Sequence, residues 1–379
     1  MTKIGFIFKK ENVNLAKWEL ERNLVSFEVV SESEKLVIAK ISEIDFEKIV
    51  NAQTFPFGAI DRIVQIYEHA SLNKFMDDIA SNFFVDSIEF AWLVDNVELE
   101  TCTLLSKQIL KLARKYFKKI ETNNIARTLS LGDLQKSENI VEVVFLKREN
   151  EIILGRTIKF LNPFYFKELD ETRPGRMFTH GTSPKLAKVL VNLIKNKTGT
   201  VVDPFCGTGT ILLELLRQGY DVIGIDNDSK VLSLARKNIK DYFKNNNLCE
   251  KRNYTLINSK FENVEFKATA SVFEPYMGPF LKKIPSPTVA KAILKELNFL
   301  YQKTFQSLHQ NLEGDGEIIC ILPSIPSKLQ VHELNFDLIF QDKFKLSRSK
   351  LNSQNPIDYE SKKGNRIKRK IFILEKINF

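Results

Sequence analysis

The sequence predicts an α/β chain, with a mostly parallel, doubly wound sheet of seven strands in its second half and a smaller α+β half in front. Three observations carry this expectation. Residues 200–228 place two β-branched, apolar runs on either side of a glycine-rich bend and an amphipathic segment, the pattern of a strand, a turn, a helix and a second strand. Helical periods and short apolar runs then keep alternating towards the C-terminus, as they do where crossover helices link parallel strands. Upstream, strand-like runs cluster with weaker helical patterns between them, as in an α+β unit.

In chain order, residues 4–8, 24–30 and 36–40 read as strands, with a polar helical stretch at 13–22. Weak helical patterns at 46–53 and 70–76 flank a strand at 60–67, and 87–93 reads as another strand. Residues 104–120 carry a stronger helical period, with Leu105, Ile109, Leu112, Ala113 and Phe117 available to a core. Lys107, Lys111, Arg114 and Lys118 recur at spacings of four, three and four, so one helical face would present all four. Such a row reads equally as a solvated face or as a stripe facing RNA. Strands are expected at 140–146 and 151–160. Residues 163–176 mix prolines, aromatics and charges without a period and read as a connection. The expected division is therefore a first region at 1–165, a connection at 166–182 and a second domain at 183–379.

The second domain opens with Ser183 as a helix cap, Pro184 at the first helical position, and Leu186, Val189, Leu190 and Leu193 at helical spacing. Val201 and Val202 begin a strand that stops at Asp203, and Gly207 and Gly209 let the backbone bend and approach a ligand with no Cβ in the way. A helix at 210–217 follows, with Ile211, Leu212, Leu215 and Leu216 on one face and Gly219 as its left-handed cap. The next strand, 222–225, is closed by Asp226. N–H groups at a helix start and a carboxylate at the next strand tip are what a nucleotide-like ligand requires for its polar end and its ribose. A dinucleotide site would carry a third glycine, where this chain has Leu212. The acid before the turn, Asp203, suits a ligand with an ammonium group, which S-adenosylmethionine has and a dinucleotide lacks. Further on, a helix to about residue 243, a strand at 254–257 ending in Asn258, and a strand at 270–273 ending in Glu274-Pro275-Tyr276 are expected. A helix at 289–308, a turn at 314–316, a strand at 317–322 and a terminal hairpin from 338–340 and 370–374 complete the order.

The run Asp203-Pro204-Phe205-Cys206-Gly207-Thr208-Gly209-Thr210 resembles the first motif of class I S-adenosylmethionine-dependent methyltransferases acting on exocyclic amines of RNA bases. Within that class the chain resembles the THUMP-containing tRNA guanine-N2 methyltransferases that modify position ten. Arg173-Pro174, the segment Ser183-Pro184-Lys185-Leu186-Ala187 and the run Gly155-Arg156-Thr157 add to the resemblance, which covers roughly residues 170–379 and the front half by order of elements. It implies a Rossmann-like methyltransferase domain behind a ferredoxin-like and THUMP-like RNA-binding half. It further implies a cofactor site formed by Asp203, Phe205, Gly207, Thr208, Gly209, Asp226, Asn227 and Asn258, and a catalytic group of Glu274, Pro275 and Tyr276. Relatives that methylate amines carry Asp-Pro-Pro-Tyr or Asn-Pro-Pro-Tyr at the last position. Aligned on the tyrosine, this chain has Phe273 at the acid position and Glu274 at the first proline; aligned on the acid, it has one proline fewer and an acid one methylene longer. An exocyclic amine shares its lone pair with the base ring, so it attacks a methyl sulfonium only when N–H acceptors hold it in line, while an aromatic ring stacks on the extruded base.

Hydrophobic content of 43% and charged content of 27% fit a globular protein, and no apolar run approaches a membrane span. A cytoplasmic protein with no membrane partner is expected. Four scattered cysteines and four histidines show no ligand spacing, so neither disulfides nor a metal is expected. The net charge of +9 is uneven, because residues 342–370 hold ten Lys and Arg against three acids. That excess, including Lys368, Arg369 and Lys370, attracts a polyanion. The expected activity is transfer of a methyl from S-adenosylmethionine to the exocyclic N2 amine of a guanine in tRNA. Two rivals stand beside it: an enzyme of the same fold acting on DNA or another amine, and an RNA-binding protein that keeps the fold without catalysis.

Overall fold

The computed structural model describes residues 1–67, 71–83, 85–136, 139–148, 151–175, 181–245, 253–351, 353–359 and 366–378. His69, Ala70, Arg176, His180, Cys249 and residues 360–365 of the basic run lie outside these. The chain forms two compact units, residues 1–16 with 24–166 and residues 17–23 with 167–379.

The first unit is built on one eight-stranded sheet. Its strands are β1 (Thr2–Phe8), β2 (Phe27–Glu32), β3 (Leu36–Ile41), β4 (Ile60–Tyr67), β5 (Ser87–Asp95), β6 (Lys119–Thr122), β7 (Ile140–Arg148) and β8 (Glu151–Phe160), in the order β2-β3-β1-β4-β8-β7-β5-β6. Only the pairings of β5 with β6 and β7 are parallel. The helices that begin in this half are α1 (Val13–Asn23), α2 (Glu43–Asn51), α3 (Leu72–Asn82), α4 (Leu99–Ala113), α5 (Leu131–Leu134) and α6 (Pro163–Glu171). Phe75 and Ile79 of α3 and Cys102, Ile109 and Ala113 of α4 join Phe90, Trp92 and Phe145 of the sheet in one buried cluster. Trp92 stacks on Phe145 with ring centroids 5.9 Å apart.

Two expectations for this half are corrected. The helix expected over 104–120 ends at Ala113, with Arg114 as its cap. The backbone N–H groups of Lys118 and Lys119 both donate to the Asp86 carbonyl at 3.0 Å, which draws the chain alongside β5 as β6. The charge period ran on past the helix because lysines suit a helix face and an exposed turn equally. Residues 163–171, read as connection, form α6, whose first turn is capped by Asn162 Oδ1 accepting from Phe164 N at 2.9 Å.

The second unit contains α7 (Pro184–Asn192), β9 (Thr200–Asp203), α8 (Thr210–Gln218), β10 (Asp221–Asp226), α9 (Ser229–Asn245), β11 (Tyr254–Asn258), β12 (Ala268–Phe273), α10 (Pro287–Asn311), β13 (Leu312–Pro326), β14 (Val331–His332), α11 (Phe336–Phe340), β15 (Phe344–Leu346), β16 (Ile357–Tyr359) and β17 (Lys368–Lys376). Seven strands follow the path β11-β10-β9-β12-β13-β17-β15, with β14 added on β13 and β16 on β17. The first five are parallel, and β17 is antiparallel to β13 and to β15. The expected mostly parallel seven-stranded sheet is thus observed, with two short strands appended. Its strand order reverses between β9 and β12, so the C-terminal ends of β9, β10 and β12 face one crevice.

A cluster centred on Phe273, Phe305, Cys320 and Phe372 fills the face of this sheet under α10 and α11. The expected terminal hairpin is corrected. Residues 338–340 belong to α11, because Asn335 Oδ1 accepts from Leu338 N at 3.1 Å and starts a helical turn, and β17 instead pairs with β13, β15 and β16. Residues 17–23 are held by their own contacts in this unit. Arg22 Nη2 lies 2.8 Å from Glu317 Oε1 with both side chains buried, Trp18 Nε1 donates to the Gln354 carbonyl at 3.2 Å, and Asn23 Nδ2 donates to the Asn192 carbonyl at 3.0 Å.

Candidate active site

The site grows from three strand ends. Val201 and Val202 are fully buried between β10 and β12, which drives the β9 backbone through the middle of the sheet and leaves Asp203 at its tip. The chain then turns through Gly207 at φ +54° and Gly209 at φ +82°, conformations that side-chain-bearing residues rarely adopt. A Cβ on Gly209 would also stand 3.3 Å from Ala235 Cβ of α9. The bend delivers α8 directly, with Thr210 to Leu216 buried.

Backbone N–H groups fix the two carboxylates beside this turn. Asp203 Oδ1 accepts from Phe205 N at 3.0 Å. Asp226, at the end of β10, accepts from Gly207 N at 3.0 Å through Oδ2 and from Asp228 N at 2.9 Å through Oδ1. Each oxygen retains a lone pair for a ligand. Glu274, just past β12, is the third acid. Its Oε2 accepts from the Thr182 hydroxyl at 2.7 Å, and its Oε1 lies 2.9 Å from Arg369 Nη2.

These residues line one cavity of about 670 Å³, shared with Phe205, Thr208, Asn227, Pro275, Phe280, Lys282 and Arg366 among others. The Asp203 carboxyl is pushed well above the usual carboxylate range, by its complete burial first and by the nearby charges of Asp226 and Glu274, against the lowering effect of the Phe205 N–H. Of the three acids, Glu274 already faces the Arg369 guanidinium, and a Cβ built on Gly207 would meet only the Phe205 carbonyl, at 4.0 Å. Burial first, and then the charges of Asp203 and Asp226, push the Cys206 thiol in the same wall far above its ordinary value, which disfavours a thiolate. Tyr276 has 52% of its surface exposed, while its carbonyl accepts from the buried Tyr301 hydroxyl at 2.6 Å. Its backbone is therefore held and its ring left available.

The cavity brings together every residue expected for the cofactor and the reaction except Gly209 within the turn itself and Asn258. Asn258 pairs in register with Asp226 at the tip of β11, is exposed, and donates from Nδ2 to the Asp226 carbonyl at 2.9 Å. Its amide supports the strand tip. Of the basic residues expected on RNA, Lys107 and Lys111 lie exposed on α4 and Arg114 caps it, whereas Lys118 lies beyond the helix and pairs with Asp86 at 3.0 Å. The four do not share a helical face. Lys368 is exposed, Lys370 pairs with Glu333 at 2.9 Å, and Arg369 turns to Glu274. Sequence reasoning missed Thr182, Phe280, Lys282 and Arg366 as cavity residues. The signal for Thr182 was its place beside the Ser183-Pro184 cap, which holds the chain at the start of α7.

Among the described residues no group of three His, Cys, Asp or Glu side chains is arranged to hold a metal ion, and no helix is long and apolar enough to cross a membrane.

Two family models match the chain, one described as DNA methylase over residues 103–237 and one as methyltransferase domain over residues 195–355. The chain is 27% identical over 217 residues to a tRNA (guanine(10)-N2)-dimethyltransferase of Methanothermobacter thermautotrophicus, a match that covers 56% of this chain and 57% of that protein. It is 28% identical over 255 residues to the protein of the same name from Methanocaldococcus jannaschii, covering 63% of this chain and 71% of that one. Among solved structures it is similar to TrmN from Thermus thermophilus, at 16% identity and a TM-score of 0.47 over 99% of this chain and 100% of that one.

Proposed function

We propose that the chain transfers a methyl group from S-adenosylmethionine to the exocyclic N2 amine of a guanine in tRNA. One observation carries this reading: Asp203, Asp226 and Glu274 converge with a positive-φ glycine turn on one cavity, at the point where the strand order reverses. The similarity to tRNA guanine-N2 dimethyltransferases supports the substrate, over little more than half the length of the first of them.

Asp203 and the turn from Gly207 to Gly209 would hold the cofactor's charged amino-acid end, and Asp226 would accept its ribose hydroxyls. When bound, the cofactor supplies an electrophilic methyl on a sulfonium. The Glu274 carboxylate and the Pro275 carbonyl would accept the N–H groups of the guanine amine, which localises the nitrogen lone pair for attack. Glu274 serves as an acceptor more than as a strong base, because the methylated ammonium is acidic and gives up its proton readily. The half-exposed Tyr276 ring offers a stacking face to a base taken out of its helix.

The match to a model described as DNA methylase favours a second reading, an amine on DNA. Incubation of the purified protein with S-adenosylmethionine and either unmodified tRNA or duplex DNA, followed by digestion and nucleoside mass spectrometry, separates the two. N2-methylated guanosine from tRNA alone is the expected product. A methylated base from DNA alone would put the second reading first, and binding of cofactor with no product from either would identify a protein that has kept the fold without catalysis.

A further inference from the structure

Glu274 is held unlike the other two acids of the cavity. Asp203 and Asp226 accept from backbone N–H groups close to the turn, whereas both Glu274 oxygens are engaged by side chains from distant segments. A glutamate side chain has one more rotatable bond than an aspartate, so unsupported it would sample several positions at the cavity wall. The two partners remove that freedom because their own backbones are fixed. Thr182 immediately precedes the cap of α7, where Ser183 Oγ accepts from Leu186 N at 3.3 Å and Pro184 starts the helix. Arg369 lies in β17 between two neighbours, opposite Pro323 of β13 and Tyr359 of β16. Its side chain is three-quarters buried, and the Glu274 side chain is 9% exposed. The Tyr359 hydroxyl is raised by burial, lowered by Arg369 and raised by Glu274, so it stands within electrostatic reach of the pair.

We propose that Arg369 and Thr182 are positioning residues that hold the Glu274 carboxylate, one on each oxygen, as the acceptor for the reacting amine. The proposal rests on the methyl-transfer reading of the same cavity. It assigns Arg369 to the site's interior instead of to an RNA phosphate. A carboxylate has about four lone-pair positions, so Oε1 and Oε2 each keep one for an amine N–H after Arg369 and Thr182 have bound. The guanidinium also sets a positive charge against a largely buried carboxylate that shares its cavity with two other acids. The missing proline and the additional methylene of Glu274 are compatible with function because the clamp restores a single carboxylate position.

The test is single-turnover methyl transfer to unmodified tRNA, with cofactor and tRNA dissociation constants and melting temperature measured for each variant. Arg369→Met is expected to slow transfer about 10²-fold, as a displaced reacting group does, with both dissociation constants within about twofold of the parent. Arg369→Lys keeps the charge and should recover most of the rate, and Thr182→Ser should outperform Thr182→Val. In a Glu274→Gln background, Arg369→Met should cost little more, because the group it positions has lost its charge. A purely structural role for Arg369 would lower melting temperature and rate equally in both backgrounds, and that pattern overturns the proposal. So does an Arg369→Met variant as fast as the parent while the parent is active. A parent that binds cofactor yet methylates no tRNA overturns the proposed function itself, and the positioning role with it.

Discussion

The two sides of the cavity are built by different means. On the side proposed to hold the cofactor, Asp203 and Asp226 are set by backbone N–H groups of Phe205, Gly207 and Asp228, so their placement follows from the path of the turn. On the side proposed to present the amine, Glu274 is set by the side chains of Thr182 and Arg369, which reach it from α7's leading edge and from β17. A backbone-built site survives most single substitutions around it, because the peptide groups remain. A side-chain-built site can be dismantled one residue at a time.

That contrast is broken most sharply at Glu274 itself. Glu274→Ala should slow methyl transfer about 10²–10³-fold, the usual loss when one preorganised electrostatic partner is removed, whereas Glu274→Gln keeps an acceptor oxygen and should retain part of the rate. Quench-flow measurement of labelled methyl in tRNA reads both.

A smaller effect, on the cofactor side, sharpens the comparison through pH. Because the folded Asp203 carboxyl is raised, it holds a proton at pH values where an ordinary carboxylate has lost it, and a bound cation favours the ionised form. Cofactor binding should therefore release a proton, and affinity should rise with pH as Asp203 ionises and level off above its folded value. The same sign means that Asp203 lowers fold stability as pH rises through that window. Calorimetry in buffers of different ionisation enthalpy should show the proton release in the parent and its loss in Asp203→Asn.

Tyr276 comes next. Tyr276→Ala removes a stacking face worth about 1–3 kcal/mol per base and should weaken transfer accordingly, while Tyr276→Phe keeps the face and should be mild. The least effect is expected at the surface. Replacing Lys368 or the α4 pair Lys107 and Lys111 should each reduce the magnitude of the slope of log affinity for tRNA against log salt, by about 0.7 for every single-stranded phosphate that is no longer neutralised. An unchanged slope assigns those lysines to solvated surface.

The same contrast explains what could be read from the residues alone. The turn from Asp203 to Gly209, the α8 face and the Asp226 tip are local patterns, and they stand where the spacing put them. Glu274 was legible as a strand-end acid, but its partners were not, because pairing of β17 with β13 brings Arg369 to the cavity and no local period encodes that pairing. Arg369 was instead grouped with its neighbours Lys368 and Lys370 as surface charge. The helix at 104–120 overran for a related reason. Beyond the end of α4, Lys118 and Lys119 donate to the Asp86 carbonyl, a contact between the neighbouring strands β5 and β6 that no local period encodes. In the terminal region the apolar run at 338–340 fits a strand or a buried helical turn equally, and the Asn335 cap decides for the helix.

Cofactor binding and amine presentation should then behave as separate halves of one methyl-transfer site. The decisive comparison measures cofactor affinity and single-turnover transfer at saturating cofactor for Asp226→Ala and Glu274→Ala side by side. Asp226→Ala should lose about 1.5–3 kcal/mol of cofactor binding for each charged hydrogen bond removed, yet transfer at a rate near the parent's once saturated. Glu274→Ala should bind cofactor within about twofold of the parent and transfer at least about 10²-fold more slowly. If Glu274→Ala instead transfers methyl as fast as the parent, or if both variants lose affinity and rate together, the division of the site into two halves is contradicted.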